Sequence, residues 1–334
     1  MMTCSGWVRL FAAVGLVMLF FPEAAKAQPV FMEEHVIILI DRSGSMAGTR
    51  TDGSTRFQAG LLMARDDVEF ASPSVTRYTS VWSFEGTTYR KHLDFTVDTQ
   101  QVLNALNSIQ VGIGVTPLAY AACDAVDTLI GFRTHVLARK RIQLSSDGME
   151  NSSPPGTQCQ GPDSATMAAQ SWQWKVRNKL RTGNAQNPNP VPFTIVSDVT
   201  FFGSFVTGLS ASEASDSLIH EVSENGRSLV PAGHALPPED PFVAYLRMLA
   251  VESGGRMRVV GDSAPRPVHG DVNGDGCVDM RDYDILLVNF GLRVPPGDPR
   301  ADVNRDQVVD YSDYSVLMAN WGMGGRCTAT LGDE

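Results

Sequence analysis

Between residues 34 and 262 the chain alternates short apolar runs with longer amphipathic stretches. Residues 36–40 form a continuous apolar run that stops at Asp41, as expected of a strand buried on both faces of a parallel sheet. Residues 57–70 read as a helix. Residues 77–84 and 88–95 alternate on either side of a short turn, which predicts a hairpin at a sheet edge. Helices are predicted over 102–109, 117–130 and 165–180, with short strands over 141–144 and 192–196. A helix over 241–252, closed by Gly254-Gly255, leads into a last strand over 257–260. This alternation specifies the α/β class: a doubly wound, mostly parallel sheet with helices on both faces. In such sheets ligands bind at the loops beyond the carboxyl ends of the strands.

Past residue 270 the pattern changes to a duplicated unit. Residues 271–282 place oxygen side chains at positions 1, 3, 5, 9 and 12 of a twelve-residue loop: Asp271, Asn273, Asp275, Asp279 and Asp282. Residues 302–313 repeat this with Asp302, Asn304, Asp306, Asp310 and Asp313. With the backbone carbonyls of Cys277 and Val308 at position 7, this is the donor pattern of a calcium loop, so two calcium ions are expected. Each loop runs into a helix. Tyr283, Leu286, Leu287 and Phe290 match Tyr314, Leu317, Met318 and Trp321, two apolar sets expected to pack on each other in a small all-α module. Gly291 and Gly322 are expected to close the helices. Position 6 is Gly276 in the first loop and Gln307 in the second. A side chain in a left-handed turn costs about 1–2 kcal/mol, which predicts weaker calcium at the second loop.

Length and charge place these elements in context. A chain of 334 residues accommodates one large domain and a smaller one. Arg9, the apolar run 10–21 and Ala25-Lys26-Ala27 predict a signal peptide over 1–27, hence a secreted bacterial protein and not an integral membrane one. Four cysteines follow it: Cys123, Cys159, Cys277 and Cys327. They allow three pairings, of which Cys123 with Cys159 and Cys277 with Cys327 is favoured. The formal charge of −10 argues against nucleic acid as a partner.

Three loops of the large domain carry hard oxygen donors. Asp41, Ser43 and Ser45 follow the first strand at two-residue spacing, which turns them to one side of the loop. Thr116 precedes Pro117 at a helix start, and Asp147 follows a later strand in Ser145-Ser146-Asp147-Gly148. Taken singly, these are a polar turn, a helix cap and a common turn. Together, two carboxylates and three hydroxyls suit Mg²⁺ (or Mn²⁺). No catalytic constellation accompanies them: His220-Glu-Val-Ser-Glu224 lacks the second histidine of a zinc-protease helix, and no nucleophile elbow or phosphate loop is present. The expectation is a protein that is not an enzyme. A glycoside hydrolase site in the insertions is the alternative, and a stand-alone calcium-stabilised adhesin is a third reading.

On these motifs, residues 33–262 resemble the von Willebrand factor type A (VWA) domain. The resemblance implies a metal-ion-dependent adhesion site at Asp41, Ser43, Ser45, Thr116 and Asp147, which binds a partner's carboxylate through Mg²⁺. The stretch 246–255 is similar to that family's final helix and glycine exit. Segments 149–163, 184–192 and 202–240 depart from a minimal domain, and the first should sit beside the metal. Residues 271–322 resemble the type I dockerin family, in which the loops lack an apolar entering helix and carry Asp at position 12. That resemblance implies docking on a cohesin-type domain through positions 10 and 11, here Met280, Arg281, Tyr311 and Ser312. It also implies recruitment to an extracellular assembly of the kind associated with polysaccharide breakdown. Residues 263–270 are expected to be a linker and 323–334 a tail.

Overall fold

The computed structural model describes residues 31–203, 240–264, 268–324 and 327. The expected signal peptide, the 220–224 near-motif, most of the 202–240 insertion, the centre of the expected linker and most of the tail lie outside these residues.

The large domain runs β1 (Glu33–Asp41), α1 (Arg56–Glu69), β2 (Thr76–Glu85), β3 (Thr88–Thr96), α2 (Thr99–Asn107), α3 (Leu118–Gly131), β4 (Arg139–Ser146), α4 (Trp172–Thr182), β5 (Val196–Gly203), α5 (Pro241–Ser253) and β6 (Met257–Gly261). The six strands form one sheet in the order β3-β2-β1-β4-β5-β6. Every pairing is parallel except the β2–β3 hairpin at the edge. Strand β1 lies between β2 and β4 and is buried from Glu34 to Asp41. Its alternate residues enter two cores. Ile37 and Leu39 join a cluster built with α3, α4 and α5, while Val36, Ile38 and Ile40 join one built with α1 and α2. The continuous apolar run thus reflects helices on both faces.

Local chemistry sets the ends of the helices. Thr55 and Gln58 form a capping box at α1, and Asp98 caps α2 through the amides of Gln100 and Gln101. Two elements differ from expectation. Helix α4 begins at Trp172, not near 165. Residues 164–171 fold as turns instead, with Met167 and Gln170 at φ 51° and 72°, and the Ser171 hydroxyl accepts from the Trp174 amide to start the helix. Strand β5 begins at Val196, downstream of the expected 192–196. Its start is hidden in sequence because it carries Asp198, which donors from Arg141 (2.7 Å) and Arg305 (3.0 Å) hold in the interior. His35 on β1 is fully buried among Tyr78, Phe95 and Phe132.

The C-terminal residues form α6 (Met280–Asn289) and α7 (Tyr311–Ala319), each following one acidic loop. The repeats interlock with two-fold regularity. Val278 of the first loop exchanges backbone hydrogen bonds with Gly322 and Met323 beyond α7, and Val309 of the second does so with Gly291 and Leu292 beyond α6. Their shared core is Val272, Val278, Leu286, Val294, Val303, Val309 and Leu317. Only part of each expected apolar set faces inward: Leu286 and Leu317 are buried and Tyr283 packs edge-on to Tyr314. Leu287, Phe290, Met318 and Trp321 are exposed. Disulfides join Cys123 to Cys159, tying α3 to the 149–163 segment, and Cys277 to Cys327.

At the N-terminal end of the parallel strands lies a buried ionic cluster. Glu34 on β1 accepts from Arg77 (2.6 Å) and Arg141 (3.1 Å), and Arg141 continues to Asp198. Burial alone would raise the Glu34 pKa, but Arg141, Arg77 and Arg139 outweigh it and hold the carboxyl at about 2. Removing one member of such a cluster leaves a charge buried without its partner. Arg141→Ala is therefore expected to cost about 3–5 kcal/mol in urea unfolding, and a loss below about 1 kcal/mol would contradict this account.

Candidate functional site

The opposite end of β1 carries the second buried carboxylate, Asp41. The first donor loop leaves the sheet here. Its Oδ1 accepts from the Ser43 amide (2.8 Å) and its Oδ2 from the Ser146 hydroxyl at the end of β4 (2.6 Å). The Ser43 and Ser45 hydroxyls lie 3.1 Å apart, and Ser45 donates to Asp147 Oδ1 at 2.7 Å. A Cβ placed on Gly148 would lie 3.5 Å from the Thr116 hydroxyl and 3.8 Å from that of Ser45, so Thr116 closes the group. Asp41, Ser43, Ser45, Thr116 and Asp147 therefore converge from three loops at the carboxyl ends of β1 and β4 and the start of α3.

Several positioning residues escaped the sequence reading. Thr116 is held by the 149–163 segment: its amide donates to Asn151 Oδ1 (2.8 Å), and the Asn151 amide donates back to its carbonyl. The first turn of α3 has no side-chain cap of its own, since Pro117 occupies the cap position. Instead Glu150 accepts from the Ala119 amide (2.7 Å) and the Ser153 hydroxyl from that of Tyr120 (2.9 Å). The insertion thus supplies the cap that the helix lacks. Arg56, at the start of α1, bridges Asp147 Oδ2 (2.8 Å) and Asp262 just beyond β6. Nothing in the local pattern around Arg56 pointed to this. Exposed Ile113 and Met149 stand beside the group, the first through the turn whose Gly114 carbonyl accepts from the Gly44 amide.

The electrostatics distinguish this end of β1 from the other. Among the described residues no arginine touches Asp41, and burial pushes its carboxyl up to about 6 despite the hydrogen bonds from Ser146 and Ser43. A buried carboxylate beside a second one, ringed by hydroxyls, is a donor set for a hard divalent cation.

The two acidic loops have the same character. In the first, Asp282 accepts from the amides of Val272, Asn273 and Asp279, and Asp271 from those of Gly274 and Gly276. In the second, Asp313 accepts from Asn304 and Asp310, and Asp302 from Asp306 and Gln307. Carboxylate oxygens of Asp302, Asp306 and Asp313 lie within 4.8 Å of one another. Burial raises Asp271 to about 7, Asp282 to about 6, Asp302 to about 6 and Asp313 to about 7. The carbonyl positions Cys277 and Val308 and the carboxylates Asp275, Asp279 and Asp310 complete the two loops. Met280, Arg281, Tyr311 and Ser312 stand exposed at the helix starts.

These shifts have a signed consequence. A carboxyl with a raised folded pKa binds its proton more tightly when folded, so its stabilising contribution is complete below the unfolded value near 3.8 and is lost as pH rises through the folded value. In EDTA the melting temperature is expected to fall between about pH 4 and pH 7, the window set by Asp41, Asp271, Asp282, Asp302 and Asp313. Added Mg²⁺ and Ca²⁺ should restore it at neutral pH. A melting temperature in EDTA that rises across this window, measured by calorimetry, would refute this reading.

The family model of the von Willebrand factor type A domain matches residues 36–150. No curated protein matches the chain. Among solved structures, the chain is similar to BatB from Bacteroides thetaiotaomicron, at 15% identity and a TM-score of 0.40 over 69% of this chain and 91% of that one. It is also similar to the SpRpn10 VWA domain, at 12% identity and a TM-score of 0.42 over 69% and 89%. Proximal thread matrix protein 1 from the mussel byssus, solved with a zinc-occupied MIDAS motif, matches at 12% identity and a TM-score of 0.41 over 70% and 43%. With the family match falling on the strands and loops that build the donor group, the chain contains a von Willebrand factor type A domain.

Proposed function

We propose that this is a secreted, non-catalytic interaction protein with two attachment ends. The VWA domain binds a protein partner by sharing one of that partner's carboxylates with a divalent cation, Mg²⁺ or Mn²⁺. Asp41, Ser43, Ser45, Thr116 and Asp147 would hold the cation, directly or through water. The observation that carries this reading is the convergence of those five residues around a buried carboxylate with, among the described residues, no arginine against it. Three of the five donors are uncharged, and the charge of Asp147 is already shared with Arg56. The ion would therefore keep net positive charge and attract an incoming anion. Ile113 and Met149 offer apolar contact beside it.

The C-terminal repeat is the second end. Its loops would each take one calcium ion, through Asp271, Asn273, Asp275, Cys277, Asp279 and Asp282, and through Asp302, Asn304, Asp306, Val308, Asp310 and Asp313. Met280, Arg281, Tyr311 and Ser312 would then meet a cohesin-type domain in an extracellular assembly. The paired loops with raised carboxyl pKa values support calcium, and the exposed apolar residues of α6 and α7 support a protein partner. Both disulfides suit an oxidising compartment, and no helix among the described residues is long and apolar enough to cross a membrane.

Titration calorimetry with Mg²⁺, on chain already saturated with Ca²⁺, tests the adhesion site. One further ion should bind the natural chain, and none should bind Asp41→Ala, whose near-ultraviolet circular dichroism stays native. A pull-down from the native secretome should then lose the carboxylate-bearing partner in Asp41→Ala while keeping the cohesin-type one. Unchanged Mg²⁺ binding in Asp41→Ala would sink the reading of the adhesion site.

A further inference from the structure

The two acidic loops differ at their tips, and the differences fall where the module meets the VWA domain. Positions 4 and 6 are left-handed in both. The first loop fills them with Gly274 (φ 78°) and Gly276 (φ 89°), the second with Arg305 (φ 64°) and Gln307 (φ 76°). A side chain is strained in this region, so the second loop forgoes the easier choice twice. Both side chains are buried, and both reach the VWA domain. Arg305 donates to Asp67 at the end of α1 (2.6 Å) and to Asp198 on β5 (3.0 Å). Gln307 exchanges hydrogen bonds with the backbone of Phe31, just before β1. At the first loop, a Cβ on Gly274 would meet nothing within 4 Å. Gly274 is exposed and Gly276 is buried beside Gly324 of its own module, whereas Arg305 and Gln307 are seated on the VWA domain.

Further contacts join the same surfaces. The Ser72 amide, ahead of β2, donates to the Asn304 carbonyl (3.1 Å), and its hydroxyl donates to Asp306 Oδ2 (3.2 Å). Asp306 occupies position 5 of the loop, so a VWA hydroxyl helps orient an expected calcium ligand. His269, inside the expected linker, is buried and stacks on Phe70 at 4.3 Å. The tip of loop two thus completes the ionic cluster at the N-terminal end of the sheet, with Arg305 beside Arg141 on Asp198.

We propose that the second acidic loop is an internal clasp. Its occupant is the VWA domain of the same chain, Arg305 and Gln307 are its teeth, and calcium in the loop and docking of the module reinforce each other. The calcium half rests on the reading of the loops given above. The reason for the coupling is mutual. Docking holds Arg305 and Gln307 in the left-handed conformation that the loop requires, and a calcium ion would fix the same loop in the shape that fits the VWA surface. Linkage makes the two effects equal. The clasp leaves Met280, Arg281, Tyr311 and Ser312 exposed, so the external docking face stays open.

Hydrogen exchange on the full chain tests this. Arg305→Gly with Gln307→Gly gives the second loop the glycines of the first and relieves its strain. Asp198 keeps Arg141, and Asp67 keeps Gln143, so neither carboxylate is orphaned. A clasp predicts that the double variant exchanges the Ser72 amide at least about tenfold faster in calcium, while amides within β1 and β4 are unchanged. EGTA should produce the same acceleration in the natural chain. Gln307→Gly alone should give a smaller one and serves if the double variant misfolds. An independent loop predicts the reverse: glycines stabilise the module and Ser72 stays protected, which would overturn the clasp. Unchanged Ser72 exchange in EGTA, with calcium binding measured at both loops, would overturn the coupling. A chain that binds no calcium refutes the calcium half together with the reading of the loops, and the glycine variants still decide the clasp.

Discussion

Strand β1 carries a buried carboxylate at each end, and the rest of the structure is organised by how each charge is met. Glu34 and Asp41 sit seven residues apart on the central strand, at 1% and 0% exposure. At Glu34, arginines from β2 and β4 arrive with the strands that flank β1, and the carboxyl is held at about 2. At Asp41, β4 brings the Ser146 hydroxyl and the following loop the Ser43 amide, and burial raises the carboxyl to about 6. A parallel sheet gathers all its strand starts on one edge and all its strand ends on the other. One edge is therefore an ionic network, and the other gathers the oxygen donors that we propose hold a cation.

The ionic edge explains where the C-terminal module goes. Arg305 extends the network from the second acidic loop, and Asp67 and Asp198 receive it. The two repeats share a core and a two-fold pattern of backbone hydrogen bonds, yet the surroundings treat them differently. One loop meets the VWA domain with side chains at its left-handed positions, and the other fills those positions with glycines, of which Gly274 is exposed and Gly276 buried. The donor group of Asp41 thus lies at one end of the sheet and the second acidic loop at the other, while the helix starts of α6 and α7 stay exposed.

Much of this was legible in the chain. The apolar run of β1 and the edge hairpin express local chemistry, and both fell where the pattern indicated; the Asp-x-Ser-x-Ser stretch and the duplicated aspartates lie in loops. What stayed hidden depends on partners distant in sequence. Asp198 lies beyond the expected strand 192–196, because the pattern cannot show the Arg141 and Arg305 that hold it in the interior. Glu150 and Asn151 read as loop residues, although they cap α3 and hold Thr116. Gln307 read only as strain on a calcium loop, because its contact with Phe31 spans the whole chain. The apolar positions of α6 and α7 were all assigned to a core, whereas a module this small buries one stripe and leaves Leu287, Phe290, Met318 and Trp321 outside.

The central claim is that the Asp41 end of β1 is completed by a divalent cation. Anomalous diffraction from a crystal equilibrated with Mn²⁺ tests it most directly. The account predicts a peak enclosed by Asp41, Ser43, Ser45, Thr116 and Asp147. A map with peaks at the acidic loops but none among these five residues would contradict it.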